Sequence, residues 1–311
     1  SGVMRPDLIM QAHHSGWATL FNMGRLIPCL ESIATGESLY DATAHREHSS
    51  LYGGHDPQVC AHAFSAIALC LRGSPDQASV HIEWAIDFAK KLGHPGSLAH
   101  ALDFAATFDR MCDMPKRCLD RADVLKVCGE ENVFTDFEIR GHAYHGWALA
   151  RLGNREEGLE DLRKSILAQR ETGTSEDLPF FLEMLAEVYG LMGQPEDGLM
   201  AIDEALQYAH TNQAEFWLSA TKRRQALLMV QSDANRVSDA IACLREASSV
   251  ASEQQAQLLE LQATLDLARL LKKTGKIADA LSVIEPIYDE MTEGFDLPVM
   301  VESREFIAGC G

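Results

Sequence analysis

The chain has 311 residues, 46% of them hydrophobic and 23% charged, which is enough apolar material for a sizeable core. Its formal net charge of −19 repels phosphate backbones and anionic lipid surfaces, and so argues against nucleic-acid and membrane binding. No apolar run approaches the ~18 residues of a transmembrane helix, and eight scattered cysteines without a CxxC read as reduced, mostly buried thiols of a cytoplasmic protein.

The first residues, SGVMRPD, carry neither an initiator methionine nor a secretory leader. Ser1-Gly2 reads as a remnant and the chain as a piece of a larger one. Residues 40–56, YDATAHREHSSLYGGHD, are polar and rich in histidine, and predict a long connection or a short extra helical turn. The stretch LYGGHDPQVCAHA, residues 51–63, then gathers His55, Asp56, Cys60 and His62 within eight positions, as a metal or catalytic site does. A second copy of its frame, LGHPGSLAHA at 92–101, matches Pro57 with Pro95 and His62 with His100. Recurrence favours a repeated helix start over chemistry: Asp56 caps a helix and Pro57 occupies its first turn.

The recurrence extends along the whole chain. Turn anchors fall at Gly24, Gly73, Asp113, Gly153, Gly193, Asn235 and Gly275, at intervals of 49, 40, 40, 40, 42 and 40 residues. Five residues past each anchor stands a small residue (Cys29, Ala78, Cys118, Gly158, Gly198, Ala240, Ala280). Seven before it, Ala66, Ala106, Gly146, Ala186 and Ala268 repeat the pattern. Antiparallel helices approach closely only where facing side chains are small, and the turn between them favours residues tolerant of positive φ. Pro75, Pro115 and Pro195 mark the starts of second helices. The pattern predicts an all-α solenoid of about seven antiparallel helix pairs: 7–40, 56–92, 95–130, 134–172, 177–211, 214–253 and 256–291, with a cap at 292–311.

The grammar resembles the tetratricopeptide repeat, clearest in LAEVYGLMGQPEDGLMAIDEAL, with Leu185, Ala186, Tyr189, Gly198 and Ala205 at its marker positions. That resemblance implies a right-handed superhelix, although the period exceeds the usual 34 residues. The order of AHHSGWATLFNMG, LYGGHDPQVCAHA, LGHPGSLAHAL, GWALARLGNREEGLEDLRKSI and EGFDLP resembles the C-terminal repeat region of large bacterial signalling proteins. Those proteins carry a class III adenylate/guanylate cyclase-like domain and a STAND-type predicted ATPase module. The resemblance implies a regulatory or partner-binding segment with no catalytic activity of its own. KKTGKIAD lacks the first glycine and the Ser/Thr of a phosphate loop, and neither G-x-S-x-G nor H-E-x-x-H occurs.

In the tetratricopeptide register, groove-facing positions lie 13, 10, 6, 3 and 2 residues before each anchor. These positions select His100, Asp103, Arg110, Arg140, Trp147, Arg151, Glu183 and Glu187 in the middle units, then Lys222, Arg269, Lys272 and Lys273. Such a groove would hold a protein or an acidic peptide by charge-assisted hydrogen bonds, with Trp147 as a stacking anchor. Neighbouring cyclase or ATPase domains of the parent chain are alternative partners. No metal, cofactor or catalytic residue is expected. Three other readings remain open: the cations pair with Asp103, Glu183 and Glu187; the His55–His62 region is a metal-dependent enzyme site; or the chain is a structural module that self-associates.

Overall fold

The structure, a computed structural model, describes residues 5–45, 47–173 and 177–310; Ser1-Gly2 and Arg46 of the histidine-rich connection lie outside them. Among the described residues there are sixteen α-helices. Seven inner helices, α1 (Pro6–Asn22), α4 (Pro57–Leu71), α6 (Pro95–Met111), α8 (Thr135–Arg151), α10 (Leu178–Leu191), α12 (Leu218–Ser232) and α14 (Gln257–Lys273), alternate with seven outer ones. The outer helices are α2 (Leu26–Ser38), α5 (Pro75–Leu92), α7 (Pro115–Asn132), α9 (Arg155–Thr172), α11 (Pro195–Asn212), α13 (Val237–Glu253) and α15 (Ile277–Glu290). The short α3 (His48–Leu51) occupies the histidine-rich connection and α16 (Pro298–Ala308) covers the last pair.

Local signals start and stop these helices as the sequence predicts. Asp56 accepts hydrogen bonds from the N–H groups of Gln58 and Val59, 2.8 and 3.3 Å, so the GGHDP stretch is a helix cap. Proline occupies the first turn of α4, α5, α6, α7 and α11. Six of the seven anchors have positive φ. The exception is Asn235, which lies inside a 3₁₀ turn, Ala234–Arg236, capped by the Asp233 side chain. A second left-handed series closes the outer helices at Gly93, Val133, Gly173, Gln213 and Gln255. Only two of those five are glycines, which hid this series from the sequence pattern.

The small residues lie where the helices meet. Cys29, Ala66, Ala78, Ala106, Cys118, Ala186, Ala240, Ala268 and Ala280 have no accessible surface. Among glycines at helix crossings, the closest approach is between α8 and α9. A Cβ on Gly146 would stand 2.6 Å from the Gly158 carbonyl oxygen, and one on Gly158 would stand 2.3 Å from that of Gly146. No larger residue fits this crossing without parting the helices.

Successive inner helices touch one another while the outer helices fan outward, so the array curves with the inner helices on its concave side. The curve closes on itself. The N–H groups of Glu215 and Phe216 donate to the Asn22 carbonyl at 2.8 and 3.2 Å. The Phe21 and Phe216 rings lie 4.8 Å apart, and Gln262 Nε2 donates to the Met111 carbonyl. Further round, Gly294 N–H donates to Asp76 Oδ2 and Gln77 bonds Glu293. The N- and C-terminal pairs are therefore in contact across a single turn of the superhelix.

Gly146→Ala should lower the urea-unfolding free energy by about 1–3 kcal/mol through overpacking. Val133, 84% exposed at φ 59°, carries a β-branched side chain in the left-handed region. Val133→Gly should raise stability by up to about 1 kcal/mol.

Candidate functional site

Closure leaves a cavity of about 740 Å³ on the concave face. Its walls come from α1, the loop before α4, α4, α6 and α8, and the starts of α10 and α12. One wall is aromatic: Phe64 and Phe104 at 4.6 Å between ring centroids, with Phe180 and Phe216 beyond them. A second wall is a chain of imidazoles. His14 Nε2 faces His55 Nε2 at 3.1 Å, and the His55 ring stacks on His100 at 3.9 Å with 8° between planes. Burial, and then the neighbouring imidazoles, push His14 down to about 4 and His55 to about 3, and hold His100 well below its ordinary value. All three rings are neutral at physiological pH.

The third wall is ionic. Arg140 reaches Asp103 at 3.3 Å, Asp136 at 3.0 Å, and Asp177. The Tyr144 hydroxyl donates to Asp103 at 3.0 Å. One guanidinium thus serves three carboxylates. Burial and repulsion from Asp177 and Asp136 outweigh the pull of Arg140 and Tyr144, and the Asp103 carboxyl rises to about 7.

Beside the cavity lies a second ionic assembly. Glu183 and Glu187, one turn apart on α10, are buried at 2% and 5% exposure. Arg110 from α6 bonds both, Arg224 from α12 reaches them at 2.9 and 2.8 Å, and Arg151 from α8 bonds Glu187 at 2.6 Å. Trp147 and Trp217 donate indole N–H bonds to the same carboxylates, and Arg110 lies over the Trp147 ring at 4.7 Å. Burial opposes ionisation of Glu187, but Arg224, Arg110 and Arg151 overcome it and hold the carboxyl far below the usual range.

The structure therefore brings together many of the residues selected from sequence, but in two different settings. His100, Asp103 and Arg140 line the cavity. Arg110, Trp147, Arg151, Glu183 and Glu187, joined by Arg224, cross-brace four inner helices instead, and Trp147 is wholly buried. The inward cations are engaged by the chain's own acceptors, which is the pairing alternative that the sequence left open. Lys222 bonds Glu246 on α13, Arg269 bonds Asp266 and Glu302, and Lys272 donates to the Gly309 carbonyl, all away from the cavity. Lys273 is exposed. In α12 the inward position belongs to Arg224, because the 3₁₀ turn displaces the register by one residue from the Asn235 anchor.

The His55–His62 stretch does not converge on one site. His62 points to the outer layer, stacked on Trp84 at 3.7 Å and 3.4 Å from Glu37, while Asp56 caps α4 and accepts from the Tyr40 hydroxyl. The sequence reading missed His14, Phe104, Tyr144, Asp136 and Asp177 as companions of His100, Asp103 and Arg140. The forty-residue offset from His100 to Arg140 was the available signal, since equivalent positions on adjacent inner helices must neighbour each other.

No protein-family model matches the chain. A Rhizobium meliloti (strain 1021) protein, the uncharacterized protein R02095, is 28% identical over 276 residues, an alignment taking in 85% of this chain. The chain spans 26% of that relative's length. Among solved structures, the apo form of RapI is similar over 96% of this chain and 99% of its own, with TM-score 0.56 and 11% identity. NprR in complex with its cognate peptide NprX is similar over 96% of this chain and 82% of its own, with TM-score 0.59 and 12% identity. These likenesses establish the tetratricopeptide-like helical-repeat fold. Among the described residues no helix is long and apolar enough to cross a membrane.

Because the folded state holds a proton on Asp103 up to about pH 7, its contribution to stability is complete below the unfolded carboxyl range near pH 4. That contribution is lost as pH rises towards 7. Chemical denaturation across that window should show a fall for the native protein that Asp103→Asn removes. Glu187 has the opposite sign: its contribution is present above about pH 4 and is lost only in acid.

Proposed function

We propose that the protein is a non-catalytic, peptide-binding regulatory module that takes its ligand in the concave cavity. The observation that carries this reading is the cavity itself, of about 740 Å³, with aromatic, neutral imidazole and acidic walls. It is supported by the shared fold with NprR, which is solved with its cognate peptide NprX. The longer R02095 relative supports placing the module within a larger chain; cyclase-like and ATPase-like neighbours rest on the sequence resemblance alone. In that setting, occupancy of the cavity would select one curvature of the superhelix and so bias the preceding domains.

The wall chemistry selects the ligand class. An acidic segment would meet Asp103, Asp136 and Asp177 around a single, already engaged Arg140. A peptide with an aromatic or aliphatic side chain and one cationic group suits the cavity better. Its apolar part would rest on Phe104 and Phe180, and its cation would complete the charge balance of the carboxylates. Reversing Arg140 to Glu is a poor test of this, because it would place a fourth carboxylate in a buried ionic cluster and unfold the wall.

Peptides selected from a random display library should carry a lysine, an arginine or a free amino terminus beside an aromatic residue. Fluorescence anisotropy should show Phe104→Ala weakening them roughly 30-fold, about 2 kcal/mol. Affinity should rise between about pH 6 and about pH 8 as Asp103 ionises next to Arg140, Tyr144, Asp136 and Asp177. Asp103→Asn should abolish that rise. Selection of acidic peptides, or affinity indifferent to both substitutions, would refute the reading.

A further inference from the structure

We infer that His14, His55 and Cys60 form a binding site for a borderline-soft divalent cation, zinc foremost, in the wall of the cavity. The three residues come from separate segments: α1, the loop before α4, and α4 itself. Their ligand atoms all lie within 4.8 Å of one another, and all three residues line the cavity. Two imidazole nitrogens and one thiolate are the ligand set of a zinc centre that keeps a fourth position open. With Zn–N near 2.0–2.1 Å and Zn–S near 2.3 Å, a tetrahedral site has ligand-to-ligand edges of about 3.3–3.6 Å. The 3.1 Å separation of His14 Nε2 and His55 Nε2 is already near that value. The Cys60 sulfur, within 4.8 Å of both nitrogens, has to move closer to complete the site.

The surroundings orient each ligand. His14 Nδ1 bonds Gln11 Oε1 at 3.0 Å, and the Gln11 amide nitrogen in turn bonds His48 Nδ1 at 2.7 Å. A carbonyl oxygen can only accept, so the His14 proton sits on Nδ1 and the Nε2 lone pair faces His55. His55 is fixed by its stack on His100 and by a backbone hydrogen bond at Gly53. The Trp17 indole N–H donates to Cys60 Sγ at 3.4 Å, a bond that strengthens when the sulfur becomes a thiolate. Cation binding releases the Cys60 proton to solvent, moves the His55 proton from Nε2 to Nδ1, and replaces the His14–His55 hydrogen bond with two metal–nitrogen bonds. The fourth position faces the cavity, open to water or to a donor on a bound ligand. His62, which the sequence grouped with His55 and Cys60, takes no part; His14, distant in sequence, replaces it.

The test uses the whole chain, stripped with chelator and titrated with Co²⁺, then Zn²⁺. One equivalent of Co²⁺ should give the visible bands of a tetrahedral centre and a near-ultraviolet thiolate charge-transfer band, both erased by Zn²⁺. Cys60→Ser should remove the charge-transfer band. His14→Ala and His55→Ala should weaken Zn²⁺ binding by more than the roughly 10–100-fold typical of outer-shell changes, and Gln11→Leu should fall within that range. His62→Ala and His142→Ala should leave binding unchanged. The second of these probes the Glu130, Glu138 and His142 group on α7 and α8. Zn²⁺ should also raise the melting temperature of the native chain but not of His55→Ala, which separates lost ligation from lost folding. Absence of the charge-transfer band, survival of binding in Cys60→Ser and His55→Ala, or its loss in His142→Ala would overturn the inference. The site stands or falls independently of peptide capture.

Discussion

The approach of inner and outer helices through residues with little or no side chain is the constraint on which the rest of the molecule depends. At Gly146 and Gly158 the α8 and α9 backbones are so close that neither position has room for a Cβ. The alanines and cysteines at equivalent positions in other pairs are buried without residual surface. Apolar side chains on either side of these contacts then mesh at the density of a crystal, and each pair presents its remaining apolar face to the next. A regular unit repeated in this way accumulates curvature.

That curvature produces the cavity. With units of about forty residues, the sixth and seventh pairs return to the first three, where Phe216 rests on Phe21 and Asn22, and Gln262 reaches Met111. A straight array of the same pairs would leave His14, His100 and Arg140 on an open surface. Closure instead places them around one half-open cavity. The five charges Glu183, Glu187, Arg110, Arg151 and Arg224 brace the wall behind it. Removing one member would leave its partners buried and unbalanced, at a cost of about 3–5 kcal/mol, whereas the intact cluster holds four inner helices in fixed relation.

Much of the fold could be read from sequence because turn residues and small contact residues obey strict local rules. The glycine anchors needed positive φ, and the alanines at fixed offsets had nowhere to be except a helix crossing. The groove was legible only in part. Register arithmetic placed His100, Asp103 and Arg140 correctly on the inner face, but it could not reveal that Arg110, Arg151 and Trp147 would be consumed by Glu183 and Glu187. That outcome depends on charges brought together from four helices. The same arithmetic slipped by one residue in α12, where a 3₁₀ turn capped by Asp233 replaces the left-handed turn: ten before Asn235 falls on Gln225, whereas the inner face carries Arg224. The chemistry of the GGHDPQVCAHA stretch was half visible. Its helix cap was evident, but the partner of His55 and Cys60 lies on α1, and only the closure of the array brings His14 to them.

The half-open concave cavity, and not the outer face or the ionic brace, is the place where a ligand would be received. Photo-crosslinking tests it most directly, using a display-selected peptide bearing a benzoylphenylalanine and mass spectrometry to map the adducts. The account predicts adducts on α1, α6, α8 and the start of α10, at residues such as Phe104, Phe137 and Phe180. Adducts confined to exposed outer-helix residues such as Val80, Val124 and Leu167 would contradict it.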